Sequence, residues 1–348
     1  MKLFFFIESL YRAAGTERIA TDVVNALYEK THWEIQFIIL SANTNTSFNL
    51  NKDIPIKSLN CKPTQPIKAI RNLHQLIKEE KPQYIINIAV VMSRFSIPAA
   101  IFTHTKVITW EHFNLFAGSK LGYLWRLTSA GLSYKTIVLT IQDKTSYPKC
   151  LQKKIQTIYN FPTPIENRLS KLESNIAISV GRLTYQKGFD LLLESWKHVQ
   201  DINKSWSLFI IGSGEDEIIL KQKAKDLELT ESVKFIPNTP NIKDYYQQAS
   251  LYIMSSRFEG LPLVLIEAKQ QGLPCVSFNC PNGPNEIIRP NIDGDLIPFG
   301  DTKKMAKAII NLMNNRNKIK QYGTEAYNDI KNRFSKDIII QQWINLLK

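Results

Sequence analysis

Residues 255–271 read SSRFEGLPLVLIEAKQQ. An apolar run, Ser250–Met254, enters this stretch as a strand. After it, Leu263, Ile266 and Glu267 fall at helical spacing, with Pro262 at the entrance, where a missing N–H costs nothing. Glu259 stands eight positions before Glu267. It therefore precedes the helix, while Glu267 lies on it about two turns along. A loop feeding a helix N-terminus offers free N–H groups and a positive dipole end, which suits a phosphate. Pro262 cannot donate, so the donors must come from Gly260, Leu261, Leu263 or Val264. Two carboxylates beside such a turn are poor phosphate ligands and better acceptors from hydroxyls. The stretch thus expects a ligand carrying both phosphate and hydroxyls.

The rest of the chain follows the same rhythm. On the C-terminal side, Ile176–Val180, Trp206–Ile211, Val233–Ile236 and Pro274–Phe278 read as strands separated by helices. The turn Gly181–Gly188 (GRLTYQKG) leads into a helix over Phe189–Val199. On the N-terminal side, Leu3–Ile7, Glu34–Leu40, Tyr84–Ile88, Lys106–Thr109, Thr136–Thr140 and Ile155–Tyr159 read as strands, with helices over Thr16–Lys30 and Pro66–Glu80. Residues 41–66 read as irregular and polar, and Leu115–Tyr134 as an aromatic, basic amphipathic stretch. Alternating strands and helices predict parallel sheets covered on both faces. Ligands in such sheets bind at the carboxyl ends of strands, which places Glu111 and His112 where chemistry could occur. The proline-containing segment Asn160–Ser174 marks the boundary. Residues 1–165 form one expected domain and 166–334 the other, with a last helix at 335–348 long enough to return to the first.

The formal charge is +13. Residues 1–165 hold 20 Lys/Arg against 10 Asp/Glu, whereas 166–348 hold 24 against 21. The excess belongs to the N-terminal half and suits an anionic surface. Nucleic acid is not expected, because no zinc-finger spacing, RNP-like stretch or basic helix motif is present. Cys61, Cys150, Cys275 and Cys280 lack a zinc spacing and read as free thiols in a reducing cytoplasm. The opening MKLFFFIESL is too short an apolar run for a signal peptide, and no run reaches the roughly 18 residues that a membrane span needs. Gly212-Ser213-Gly214 begins like a dinucleotide fingerprint, but lacks the third glycine and is followed by three acidic residues. Asp293-Gly294-Asp295 reads as a turn rather than a metal ligand pair. Neither a cofactor nor a metal is expected.

Gly181-Arg182 with Lys187-Gly188, the two glutamates around Gly-Leu-Pro, and Gly283-Pro284-Asn285-Glu286-Ile287-Ile288 together resemble glycosyltransferase family 4. The likeness is strongest over about residues 176–300. Ala14-Gly15-Thr16-Glu17-Arg18 is similar to that family's Gly-Gly-x-Glu-Arg turn, with Ala14 replacing the first glycine and Gly15 left to permit close backbone approach. Val138–Tyr147 and Tyr159-Asn160-Phe161-Pro162 are similar to further family segments.

The resemblance implies a GT-B fold, two Rossmann-like domains facing each other across a cleft. It also implies metal-independent transfer, with retention, of a hexose or N-acetylhexosamine from a nucleotide sugar, most simply UDP-linked. The acceptor would be a saccharide, lipid-linked, in surface-polysaccharide assembly at the cytoplasmic membrane face. Arg182 and Lys187 would clamp the donor diphosphate, one as a planar fork and the other as a point charge. Glu267 would bind ribose hydroxyls and Glu259 the transferred sugar. Backbone groups of Gly260, Leu261, Leu263 and Val264 would meet the distal phosphate and sugar. Ile236 would face the base, Gly15 a phosphate, and His112 the transferred sugar. Two rival readings remain: a nucleotide-sugar epimerase or hydrolase on the same fold, and a basic nucleic-acid-binding module.

Overall fold

The computed structural model describes residues 1–12, 15–162 and 169–348. The apolar runs form strands buried on both faces. Strands β1 (Lys2–Ile7), β2 (Glu34–Ile39), β3 (Ile56–Ser58), β4 (Tyr84–Ile88), β5 (Lys106–Trp110), β6 (Lys135–Val138) and β7 (Ile155–Thr157) make one sheet in the order β3-β2-β1-β4-β5-β6-β7. Strands β8 (Ile176–Val180), β9 (Ser207–Ile211), β10 (Val233–Ile236), β11 (Leu251–Met254), β12 (Cys275–Asn279) and β13 (Gly294–Pro298) make a second, β10-β9-β8-β11-β12-β13. Every pairing is parallel. Strand order reverses between β1 and β4 and again between β8 and β11, so each sheet opens a crevice at its carboxyl edge there.

The first sheet is accompanied by helices α1 (Gly15–Lys30), α2 (Pro66–Glu80), α3 (Ser93–Ala100), α4 (Lys120–Leu132) and α5 (Ile141–Ser146). The second carries α6 (Phe189–Gln200), α7 (Glu217–Asp226), α8 (Ile242–Gln248), α9 (Leu263–Gln270), α10 (Pro284–Ile287), α11 (Thr302–Met313) and α12 (Arg316–Arg333), before the final α13 (Lys336–Leu347). The chain divides into two compact units, Met1–Asn160 with Ile339–Lys348, and Phe161–Ile338. The expected boundary between residues 165 and 166 lies outside the described residues. The tail helix returns to the first unit through Trp343, which is fully buried. Its ring meets Trp110 edge-on at 4.7 Å and Phe5 at 6.3 Å.

Local chemistry sets the ends. Pro66 opens α2, and Lys81 in the left-handed region closes it, donating its N–H to Ile77 O at 2.9 Å before Pro82. The amphipathic stretch predicted from Leu115 becomes helical only at Lys120, because Ser119 caps it by accepting from Gly122 N at 3.2 Å. The segment 41–66 is not wholly irregular; it contains the short edge strand β3. Helix α3 was not anticipated, since Pro98 lies inside it.

Candidate active site

At the second switch point the loop after β8 and the loop after β11 are bonded into one piece. Arg257 N donates to Gln186 O at 2.8 Å, Gln186 Nε2 to Phe258 O at 3.1 Å, and Ser255 Oγ to Lys187 O at 2.9 Å. The Arg257 guanidinium forks onto Asp190 at 2.7 and 2.6 Å, donates to Tyr185 O at 3.0 Å and lies 4.1 Å from the Tyr185 ring centroid. Burial works against the Asp190 charge, but Arg257 holds its carboxyl below the usual range. Gly188 has φ +61°, and a Cβ there would come within 2.2 Å of Ser255 O, so only glycine permits this closeness.

The arrangement brings together two residues that sequence reading had treated separately. Lys187 Nζ lies 2.7 Å from Glu259 Oε1, and Ser256 Oγ donates to the same oxygen at 2.6 Å. Glu259 and Glu267 are both buried. Burial pushes the Tyr252 hydroxyl on β11 well above its ordinary pKa, with lesser contributions from Cys275, Glu259 and Glu267. Arg182 is exposed, and among the described residues its side chain makes no hydrogen bond or ion pair. At the entrance to α9, the N–H groups of Gly260, Leu261, Leu263 and Val264 donate to no protein acceptor among the described residues. Gly283, at φ +93°, lets the turn before α10 press on this entrance; a Cβ there would lie 2.4 Å from Pro262 Cδ and 2.6 Å from Gly260 O. Ile236 ends β10 at the same edge, its carbonyl accepting from Gly212 N at 2.9 Å. Gly212 and Gly214 answer to the neighbouring loop: added Cβ atoms would meet Gly181 O at 1.9 Å and Leu183 O at 2.3 Å.

Behind α9, Lys269 is fully buried. Its ammonium lies 2.7 Å from Asp329 Oδ2 and 3.1 Å from Asp293 Oδ2, and donates to Ile287 O at 2.5 Å. Arg289 and Arg333 complete the cluster, at 2.6 Å from Asp293 and 2.7 Å from Asp329 respectively. Asp293 of the Asp-x-Asp turn is thus engaged by two cations.

In the first unit, Glu111 and His112 follow β5. Glu111 accepts from the N–H groups of His112 at 2.9 Å and Phe113 at 3.0 Å, and from Arg126 Nε at 3.0 Å. Burial raises its pKa to about 6 despite Arg126. It organises the loop rather than standing free for proton transfer. The His112 ring lies 4.7 Å from Trp110, and its Nε2 is enclosed without a protein partner. Although the residue as a whole is only half-buried, enclosure of the ring pushes its pKa down to about 3, so it is neutral near pH 7. Gly15 opens α1, and a Cβ there would meet nothing within 4 Å, so packing of the chain does not require glycine. Ala14 lies outside the described residues. Ala89, beside the first switch point, holds φ +76° and ψ 144°, a strained backbone of the kind found at ligand sites.

Ser256, Arg257 and Asp190 were not singled out in the sequence. The signal was faint: an arginine two residues before Glu259, with its acid 67 positions away.

Two doubly wound parallel sheets with these loops at the switch point define a GT-B glycosyltransferase. The chain belongs to the glycosyl transferases group 1 family, whose model matches residues 162–329. It is 34% identical to an uncharacterized glycosyltransferase of Haemophilus influenzae and 28% identical to the amylovoran biosynthesis glycosyltransferase AmsD of Erwinia amylovora, each likeness covering 99% of both chains. The fold also matches Anabaena HepE, solved in complex with UDP, at a TM-score of 0.83 and 16% identity, over 100% of this chain and 99% of that one.

Proposed function

We propose that the protein is a retaining, metal-independent member of glycosyltransferase family 4, with Glu259 and Glu267 as its paired glutamates. It moves a hexose or N-acetylhexosamine from a UDP-sugar to a saccharide acceptor, lipid-linked, in polysaccharide biosynthesis. The observation that carries this reading is the Lys187–Glu259 pair, which joins the loop that carries Arg182 to the loop whose N–H groups are unused at the α9 entrance. Cations and N–H groups meet a diphosphate, and carboxylates meet hydroxyls. The UDP-bound neighbour supports the choice of nucleotide.

On this reading Arg182, Lys187 and the α9 entrance stabilise charge developing on the departing UDP. Glu259 Oε1 already accepts two bonds and is a poor nucleophile. The acceptor oxygen bonds to the anomeric carbon on the face that UDP leaves, the carbon–phosphate-oxygen bond breaks, and the proton passes to a UDP phosphate oxygen. Neutral His112, its Nε2 enclosed, meets a hydroxyl of the transferred sugar through Nδ1. The first unit serves the acceptor, and Gly15, at its first switch point, leaves room for a phosphate to approach the backbone. No helix among the described residues is long and apolar enough to cross a membrane; the proposed place is the cytoplasm, with the basic first unit resting on an anionic membrane surface.

A thermal-shift panel of nucleotide sugars in EDTA tests the reading. A UDP-sugar at a hundred times its Kd should stabilise the protein by about 2.7 kcal/mol. Turnover with an acceptor should survive EDTA. Activity abolished by EDTA and restored by Mn²⁺ contradicts metal independence. Consumption of the UDP-sugar without an acceptor identifies the hydrolase or epimerase instead.

A further inference from the structure

Helix α4 is apolar on two sides: Ala130, Tyr123 and Leu127 pack on the core of the first unit, and leucines also face water. Its inward residues include Arg126 and Ser129, while Leu121, Leu124 and Leu132 point out, 78%, 56% and 62% exposed. Polar bonds fix that orientation. Arg126 is tied to Glu111 at 3.0 Å and Ala117 O at 2.7 Å, and Ser129 Oγ lies 3.4 Å from Thr109 Oγ1. The loop before the helix adds exposed Phe113 and Phe116, the latter stacked on Tyr123 with centroids 5.7 Å apart and planes 10° apart. Trp125 Nε1 donates to Val90 O at 3.4 Å and so brings exposed Val91 alongside.

The half of the chain that carries this face is basic, with 20 Lys/Arg against 10 Asp/Glu over residues 1–165. Residues 81–142 contain six Lys/Arg and a single carboxylate, Glu111, which is buried against Arg126. Lys81, Arg94, Lys106 and Lys120 are exposed. Apolar side chains facing out on a basic unit are the pattern of an interfacial helix on anionic lipid. A second copy would bring like charge to like charge.

We propose that the face formed by Phe113, Phe116, Leu121, Leu124 and Leu132 docks on an anionic lipid bilayer. The face begins one residue after His112, so docking sets the β5 end of the first unit at headgroup level. This deepens the proposed transferase reading, since a lipid-linked acceptor would be met there.

The test is flotation with vesicles of phosphatidylcholine alone or mixed with phosphatidylglycerol, at low and high salt. The wild type should float with the anionic vesicles at low salt and release as salt screens the charges. The Phe116→Ser/Leu121→Ser/Leu124→Ser variant should lose about tenfold or more of that binding, with its Tm unchanged. Should that variant not fold, Leu121→Ser/Leu124→Ser carries the test. The proposal is overturned if the wild type fails to float at low salt or if the folded variant floats like wild type. It is also overturned if sedimentation shows a dimer that the variant loses, because the face then joins two copies. UDP-induced stabilisation of the same samples reports on the donor reading separately: vesicle binding without it keeps the docking surface and rejects UDP as the donor nucleotide.

Discussion

Glu259→Gln should lower kcat about a hundredfold while leaving affinity for free UDP unchanged or slightly improved. The expectation follows from where the carboxylate sits. Glu259 is buried between the Lys187 ammonium at 2.7 Å and the Ser256 hydroxyl at 2.6 Å. Glutamine keeps the shape and loses the charge. The transferring sugar loses an acceptor that positions it, and misplacement near the reacting centre costs on the order of 10² in rate. Lys187 is at the same time released from its partner and stays available to a diphosphate. Glu267→Gln should behave differently. It lies on α9, and its loss should weaken UDP and UDP-sugar alike, appearing chiefly as a raised KM. Hydrogen bonds to a charged group are worth about 1.5–3 kcal/mol, or roughly tenfold and more in affinity. Calorimetry with UDP beside steady-state kinetics separates the two. If Glu259→Gln weakens free UDP as much as Glu267→Gln does, the glutamates do not divide the work.

The largest loss of stability should come from Lys269→Ala. The ammonium is fully buried between Asp293 and Asp329. Removing one member of a buried ionic cluster strands the others, at a cost of about 3–5 kcal/mol. Arg289 and Arg333 remain to share the two carboxylates, which favours the lower end of that range. Urea unfolding should show the loss; less than about 1 kcal/mol would mean that the cluster adds little beyond its own desolvation. The pH dependence has a definite sign. Burial raises the Asp329 pKa, but Arg333 and Lys269 together hold it below the ordinary value. Its contribution is therefore present above the ordinary Asp value of about 3.9 and is lost as pH falls through the lower folded value. The cluster also reaches the site. Lys269 and Arg333 bond to the Ile287 carbonyl, α10 follows Gly283, and Gly283 packs on Gly260 and Pro262.

Much of this was legible in the sequence because it was local. Helix α2 could be placed to the residue because Pro66 opens it and Pro82 follows it. The strands were legible because parallel sheets bury continuous apolar runs. The two glutamates, the α9 entrance and the basic loop after β8 were legible as a strand–turn–helix pattern. What remained hidden depends on residues far apart in the chain. Lys187 and Glu259 are 72 positions apart, and nothing local announces that they pair. Arg257 lay inside the stretch that decided the fold, yet its fork onto Asp190 exists only once β8 and β11 are neighbours. Lys269 meets Asp329, 60 positions away, only because α12 packs on α9. Residues 113–132 show the converse: the leucines were visible, but an amphipathic pattern does not say which face is turned inward. The bonds of Arg126 and Ser129 decide that.

The proposed function has the loop after β8 and the α9 entrance hold the diphosphate of a UDP-sugar. Its most direct test is calorimetric titration of UDP and of uridine, in EDTA, into the wild type and Arg182→Ala. Arg182 is exposed and bonded to no side chain among the described residues, so its removal should leave the fold intact. Arg182→Ala should weaken UDP by about 1.5–3 kcal/mol and leave uridine unchanged. Equal affinity of wild type and variant for UDP, or an equal loss for UDP and uridine, would contradict it.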